Sequence, residues 1–187
     1  MKLQFVSDVA CPWCAIGLNS LEIALKRIGD DAAVDLEVEP FELNPDMPPE
    51  GEDVLEYVGR KYGSSAAELS ARHALIRERG AAVGFTFGQR TRIWNTFDAH
   101  RLLHWAGLEG RKRELKHALL AAYHTRGENP GSREVLLRVA TEVGLDVERA
   151  RVVLDSGEYG AEVRERIRHW QQLGIHSVPS IVVEARE

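Results

Sequence analysis

With only two cysteines in 187 residues, the chain cannot be a disulfide-scaffolded domain. A chain of this length buries enough apolar surface to fold without covalent staples. A structural zinc centre usually wants a second Cys or His pair to complete four ligands, and there is no third cysteine to begin one. Long apolar runs are also missing: nothing approaches the roughly 18 consecutive residues of a membrane span. Positive charge is in short supply, with 24 Lys and Arg against 29 Asp and Glu, and the net charge of -5 gives no support to nucleic-acid binding. The basic stretches Arg111-Lys-Arg113 and Arg164-Glu-Arg-Ile-Arg168 are interleaved with or flanked by acids and read as solvated helix faces. Residues 80–88 lack the Lys-Ser/Thr of a phosphate loop. Only one lysine and a short strand-like run precede the first cysteine, with no apolar signal core, so a cytoplasmic protein is expected.

Both cysteines sit in Cys11-Pro12-Trp13-Cys14, directly after the apolar run Lys2-Leu-Gln-Phe-Val-Ser7. Pro12 suits the first turn of a helix, where its missing N–H costs nothing. Ile16, Leu18, Leu21, Ile23, Leu25 and Ile28 then recur at helical spacing and stop at Gly29. Val34 to Phe41 alternates apolar and acidic residues as a strand does. Strand, helix and strand in this order form a βαβ unit with parallel pairing. A Cys-x-x-Cys in that context points to a thioredoxin-like redox site. Cys11, nearest the helix terminus, is the expected attacking thiolate, because the unpaired N–H groups of the first turn favour negative charge. Cys14, one turn in, is the expected resolving thiol, with Pro12 and Trp13 shaping the turn.

A proline-rich linker, Asn44 to Gly51, separates this unit from a stretch that reads as almost wholly helical. Helices are expected at about 53–62, 65–82, 95–107, 111–125, 132–143 and 146–155. Ser65, Asn95, Ser132 and Asp146 are the expected N-caps, and Gly107 and Gly144 the expected stops. A further helix over 158–173 leads through His176-Ser-Val-Pro179 to a strand, Ser180-Ile-Val-Val-Glu184. The fold class is α/β, a thioredoxin-like fold with a large inserted all-helical domain. The expected division is 1–50 for the first part, 51–156 for the helical insertion, and 157–187 for the second part.

His100 and His104 are four residues apart and share a helix face, but no third ligand is evident, so hydrogen bonding is expected rather than metal binding. His176, three residues before Pro179, is a candidate for tuning the thiolate. His73, His117, His124 and His169 read as helix-surface or capping groups. Trp94, Trp105, Trp170 and Phe97 read as core, with a wall of the active-site groove as their alternative. Asp8 is either a loop residue or a hydrogen-bonding group near the cysteines.

Ser7-Asp-Val-Ala-Cys-Pro-Trp-Cys-Ala-Ile-Gly17, Pro40-Phe-Glu-Leu-Asn-Pro45, Asn95-Thr-Phe-Asp-Ala-His-Arg-Leu102 and Val178-Pro179 together resemble the FrnE-like branch of the DsbA oxidoreductase family. The resemblance implies dithiol–disulfide exchange at Cys11 and Cys14 and a cis Val178-Pro179 bond beside them. It also implies that the backbone of Val178 is free to pair with an extended substrate. Asn95, Asp98 and His100 would face the active-site groove from the helical domain. The implied partners are protein or small-molecule thiols and disulfides, with neither nucleic acid nor membrane. No cofactor is implied, glutathione entering at most as a co-substrate. A sister branch, similar to 2-hydroxychromene-2-carboxylate isomerases and kappa-class glutathione transferases, typically has serine at the place of Cys11. Glutathione-dependent isomerase or transferase chemistry on an aromatic or polyketide-like compound is therefore the first alternative. A non-enzymatic metal-binding or redox-sensing module is the second.

Family members usually carry a small residue, often Gly, where Ser177 stands. Their fold normally continues into another strand and a closing helix, whereas Glu187 lies eight residues beyond Pro179. A shortened chain is the expectation, with a homodimer covering the open sheet edge as the alternative.

Overall fold

The computed structural model describes residues 1–29 and 33–184. β1 (Lys2–Ser7) lies at the centre of a three-stranded sheet, parallel to β2 (Asp35–Pro40) and antiparallel to β5 (Ser180–Glu184). The register sets Leu3 beside Leu36, and Phe5 between Val38 and Ile181. Paired along both edges and packed on both faces, β1 is buried almost throughout, its polar Gln4 and Ser7 included. Helix α1 (Pro12–Ile28) makes the crossover, with Lys26 and Arg27 in its last turn opposite the negative end of its dipole. Ala15 and Leu18 of α1 pack on Leu3, Phe5 and Leu36 of the sheet, and Phe85 and Leu120 join them from the helical insertion.

The insertion comprises α2 (Val54–Tyr62), α3 (Ala66–Ala82), α4 (Phe97–Leu108), α5 (Lys112–Leu120), α6 (Arg133–Glu142) and α7 (Val147–Ser156). Its core gathers Leu102, Trp105, Leu115, Leu119, Leu136, Val139 and Val153, and it includes Val9 from the loop before the cysteines. The same core therefore holds the insertion together and holds that loop. Helix α8 (Gly160–Gln172) returns to the sheet, where Arg166 forms a bidentate pair with buried Glu39 of β2 at 2.6 and 3.0 Å. Trp170 adds an indole N–H donation to the same carboxylate at 3.2 Å. No helix among the described residues is long and apolar enough to cross a membrane.

Local chemistry explains most boundaries. Ser65 and Glu68 form a capping box at the start of α3, and Asp146 accepts from the backbone of Arg149 at the start of α7. The expected cap Asn95 stands one residue outside the true N-cap, Thr96, and its side-chain Oδ1 accepts from Phe97 N–H at 2.9 Å. Gly107 does not end α4: the helix runs to Leu108, and Gly110 makes the turn at φ +69°. The expected helix over 111–125 is α5 followed by a π-helical turn, Ala121–Thr125. A two-residue ladder, β3 (Glu52–Asp53) with β4 (Arg92–Ile93), escaped the sequence reading because a pair that short has no period. The expected end of the second part of the fold, 185–187, lies outside the described residues.

Candidate active site

The loop from Asp8 to Cys11 joins a buried strand to a helix, so its polar backbone must find partners in the interior. Helical-insertion side chains supply most of them. Thr96 donates its hydroxyl to Asp8 Oδ1 at 2.7 Å, and His100 Nε2 lies 3.2 Å from the same oxygen. Leu43 N–H donates to Asp8 Oδ2 at 2.8 Å, and Ala10 N–H to Oδ1 at 3.2 Å. His124 Nε2 donates to the Val9 carbonyl at 2.8 Å, and Arg90 donates to the Ala10 carbonyl at 3.1 Å. Three consecutive residues ahead of the cysteines are thereby fixed from outside the thioredoxin-like part.

Burial pushes Asp8 up, but the hydrogen bond and charge of His100, with the Leu43 N–H and Thr96 hydroxyl, outweigh it and leave its carboxyl below the usual range. Burial holds His100 below the ordinary histidine value against the pull of Asp8. His124 is pushed down to about 3, chiefly by burial and by the charge of Arg90. It is neutral at physiological pH, and its bond to Val9 puts the ring proton on Nε2.

Cys11 occupies the N-cap of α1 and Cys14 lies in its first turn, both unbonded thiols, 4% and 0% exposed respectively. Cys14 N–H donates to the Cys11 carbonyl at 3.1 Å, closing the turn that brings the two residues together. The Cys14 thiol, donating toward Cys11, and the backbone N–H groups of Cys14 and Trp13 hold Cys11 below the usual thiol range, against burial and the Asp8 charge. Cys14 is driven well above it by burial and by the adjacent Cys11. The two thiols thus differ in the sense a nucleophile and a resolving thiol require.

On the outer side, Cys11 Sγ lies 3.7 Å from the Val178 carbonyl, and the Val178–Pro179 peptide bond is cis. Gly17 permits this approach, since a Cβ there would lie 3.1 Å from Pro179 Cγ and 3.4 Å from Phe5 Cζ. Trp13, between the two cysteines in the chain, is 38% exposed. Pro12 lines a small crevice with His73, Arg77, Phe87, Arg90 and His124.

The other expected site residues separate. His100 parts from Asn95 and Asp98: it is buried beneath the loop, acts on Asp8, and lines a separate cavity of about 420 Å³ with Leu103 and Lys116. Asn95 and Asp98 line a different cleft of about 640 Å³ with Glu42, Met47, Phe97 and Arg164, and Asp98 pairs with Arg101 at 2.7 Å. Glu42 in that cleft is raised to about 7 by burial and by the charge of Asp8. His176 is exposed and makes no hydrogen bond among the described residues. His104 stacks on Tyr159 at 5.0 Å, away from any ligand geometry. Among the described residues no three His, Cys, Asp or Glu side chains group so as to hold a metal ion. Trp105 and Trp170 are core, while Trp94 and Phe97 are only partly buried, each beneath an arginine.

One expectation is corrected outright. His124, taken as a helix-surface group, is buried and holds Val9, because the π-helical turn rotates it inward. Lys116, which the sequence reading does not single out, is fully buried. Its spacing carried the signal, since it precedes Leu120 by four residues and Tyr123 by seven, within the apolar stripe of the segment.

The chain matches the model of the DSBA-like thioredoxin domain over residues 2–187. It belongs to the DsbA-like thioredoxin family. This DsbA-like protein is 33% identical to a probable DsbA oxidoreductase from Streptomyces coelicolor, with a TM-score of 0.90 over 97% of this chain and 80% of that one. A 2-hydroxychromene-2-carboxylate isomerase shares the fold at 14% identity and a TM-score of 0.76, over 98% of this chain and 86% of its own. A cytosolic disulfide reductase from Pseudomonas aeruginosa, crystallised with glutathione, shares it at 20% identity and a TM-score of 0.67, over 98% and 86%. The DsbA-like protein thus carries a thiol oxidoreductase fold with a helical insertion.

Proposed function

We propose that this protein is a thiol–disulfide oxidoreductase working through the Cys11–Cys14 dithiol. The observation that carries the reading is the asymmetry of the pair: Cys11 is lowered at a helix N-terminus and Cys14 is raised by burial. Cys11 thiolate attacks one sulfur of a substrate disulfide, forming a mixed disulfide and expelling the other sulfur as a thiolate. Cys14 then attacks Cys11 Sγ, the mixed disulfide breaks, and the second substrate thiolate leaves. The substrate is reduced by two electrons and the enzyme is left with a Cys11–Cys14 disulfide. The reverse sequence oxidises a dithiol substrate.

Val178, with its carbonyl 3.7 Å from Cys11 Sγ, holds an extended substrate segment by its backbone, with Trp13 as an apolar rim. Substrates are protein or small-molecule disulfides, in a cytoplasmic setting, and glutathione is the small thiol that returns the enzyme to its dithiol form. The glutathione-bound reductase of the same fold supports that choice of co-substrate. Cys14→Ser traps substrates as mixed disulfides through Cys11, seen as thiol-reversible adducts by intact mass, and Cys11→Ser gives none. Equal adduct formation by Cys11→Ser would overturn the assignment. Conversion of an aromatic substrate with glutathione, without any disulfide turnover, would move the protein to the isomerase and transferase side of its fold relatives.

A further inference from the structure

Two buried polar atoms of the helical insertion have no partner, and the residues that carry them line the same cavity. Lys116 is 0% exposed, and its Nζ meets no hydrogen-bond partner among the described residues. His100 is 1% exposed, with Nε2 on Asp8 and Nδ1 unpartnered. Buried polar atoms are nearly always satisfied, so two orphans on one cavity wall point to a molecule that satisfies them.

The cavity measures about 420 Å³, within the range of about 300–1,000 Å³ of small-molecule sites. Residues of β2, α4, α5 and α8 enclose it, and neither cysteine, Trp13 nor Val178 lines it. Lys2 and Glu165, whose side chains are 38% and 78% exposed, stand in its wall, so it reaches solvent. Val38, Pro40, Leu103 and Val163 give it an aliphatic side, and no Phe, Tyr or Trp lines it.

Its charges do not cancel. Glu37 pairs with Lys2 at 2.8 Å, Glu39 is held by Arg166 and Trp170, and Glu165 pairs with Arg168 at 2.8 Å. Lys112 and Lys116 are left as cations without a paired acid, against Glu162 alone, which is exposed at the mouth. The two lysines are four residues apart and share one face of α5. A Cβ on Gly107 would lie 2.8 Å from Lys112 Cε, so the bare glycine makes room for Lys112 against α4.

We propose that this cavity binds a small aliphatic hydroxy acid. The ligand carboxylate sits on Lys116 and Lys112, its hydroxyl donates to His100 Nδ1, and its alkyl chain lies along Val38, Pro40, Leu103 and Val163. Asp8 Oδ1 accepts from Thr96 and Ala10, so the ring proton of His100 is on Nε2, facing that carboxylate, and Nδ1 offers a lone pair. A carboxylate alone would leave that lone pair unmet, and an alcohol alone would leave the lysines without an anion. Burial works against the Lys116 ammonium, and the ligand carboxylate supplies the countercharge. The site stands apart from the cysteines and does not rest on the dithiol reading.

The test is calorimetric titration of the protein with 2-hydroxyhexanoate and 3-hydroxyhexanoate, with hexanoate and hexane-1,2-diol as the probes lacking one group each. One of the hydroxy acids binds with a Kd below about 1 mM. Hexanoate binds about 5-fold or more weakly, and the diol about 10- to 100-fold more weakly. Lys116→Met weakens the hydroxy acid about 10- to 100-fold, and its urea midpoint, at or above that of the parent, separates the loss from misfolding. Lys112→Gln, at a half-buried position, weakens it severalfold and serves as the second variant. Cys11→Ser binds the hydroxy acid as the parent does, which places the ligand away from the exchange site. No binding of either hydroxy acid at about 10 mM overturns the proposal. Binding as tight to the diol as to the acids, or binding that both lysine variants retain in full, overturns it equally.

Discussion

Replacing His124 with Gln tests how the helical insertion holds the active-site loop. His124 is buried with a folded pKa of about 3, and its Nε2–H donates to Val9. In the unfolded chain the same ring titrates near 6.5. A histidine depressed on folding contributes stability that is fully present above its unfolded pKa and is lost as pH falls below it. The window therefore opens near pH 6.5 and extends down toward pH 3. Between pH 7 and pH 5 the loss is set by the unfolded ring alone, because the folded one is still neutral: 1.5 units at 1.36 kcal/mol each, about 2 kcal/mol. His124→Gln keeps a donor for the Val9 carbonyl and removes the titration. It starts about 1–2 kcal/mol less stable at pH 7, from imperfect repacking against Phe87 and Tyr123. By pH 5 the gap closes, since only the parent has paid the protonation penalty. Urea unfolding followed by tryptophan fluorescence at three pH values measures this directly. His73, His100 and His104, also depressed, are present in both proteins and cancel in the comparison. A gap that stays constant from pH 7 to pH 5 would refute the buried neutral His124.

Two more substitutions follow from the same neighbourhood. Asp8→Ala strands four donors, from Ala10, Leu43, Thr96 and His100, and lowers the unfolding free energy by about 3–5 kcal/mol, whereas Thr96→Val costs only about 1. Similar urea midpoints for the two would show that the carboxylate does not organise the loop. Because the Asp8 carboxyl is lowered on folding, its contribution is complete above about pH 4 and fades as pH falls further, so Asp8→Ala loses its disadvantage only in strong acid. Glu42, raised to about 7, has the opposite sign: its ionisation opposes folding above its unfolded value near 4.3. Glu42→Gln therefore stabilises the protein by about 1 kcal/mol at pH 8, after allowance for solvent screening, and by nothing at pH 4. A gain that is the same at both pH values would contradict the reading.

The strands, the crossover helix and the position of the cysteines were legible in the sequence because each is carried by a local pattern. β1 and β2 differ in period as a central and an outer strand should, and Pro12 marks the first turn of α1. The helices of the insertion were legible to within two residues for the same reason, their apolar periodicity and caps. Illegible was what the insertion does for the thioredoxin-like part. Arg90, Thr96, His100 and His124 act on residues about 80 to 115 positions away, and no local pattern encodes such a contact. Asp8, just ahead of the cysteine motif, reads either as a loop residue or as a hydrogen-bonding group near the cysteines, and nothing local names its partners. The family resemblance implied that Asn95, Asp98 and His100 face the active-site groove together. One turn of helix sends His100 inward to Asp8 and leaves the other two in a separate cleft.

The central claim is that Cys11 and Cys14 form a working two-electron couple. Equilibration of the protein across a series of glutathione redox buffers, followed by alkylation and intact mass, measures it most directly. The account predicts a single reversible transition between a doubly alkylated dithiol and an unalkylated Cys11–Cys14 disulfide, abolished in Cys11→Ser and in Cys14→Ser. A protein that stays doubly alkylated at every buffer ratio, or that ends only as a glutathione adduct on Cys11, would contradict it.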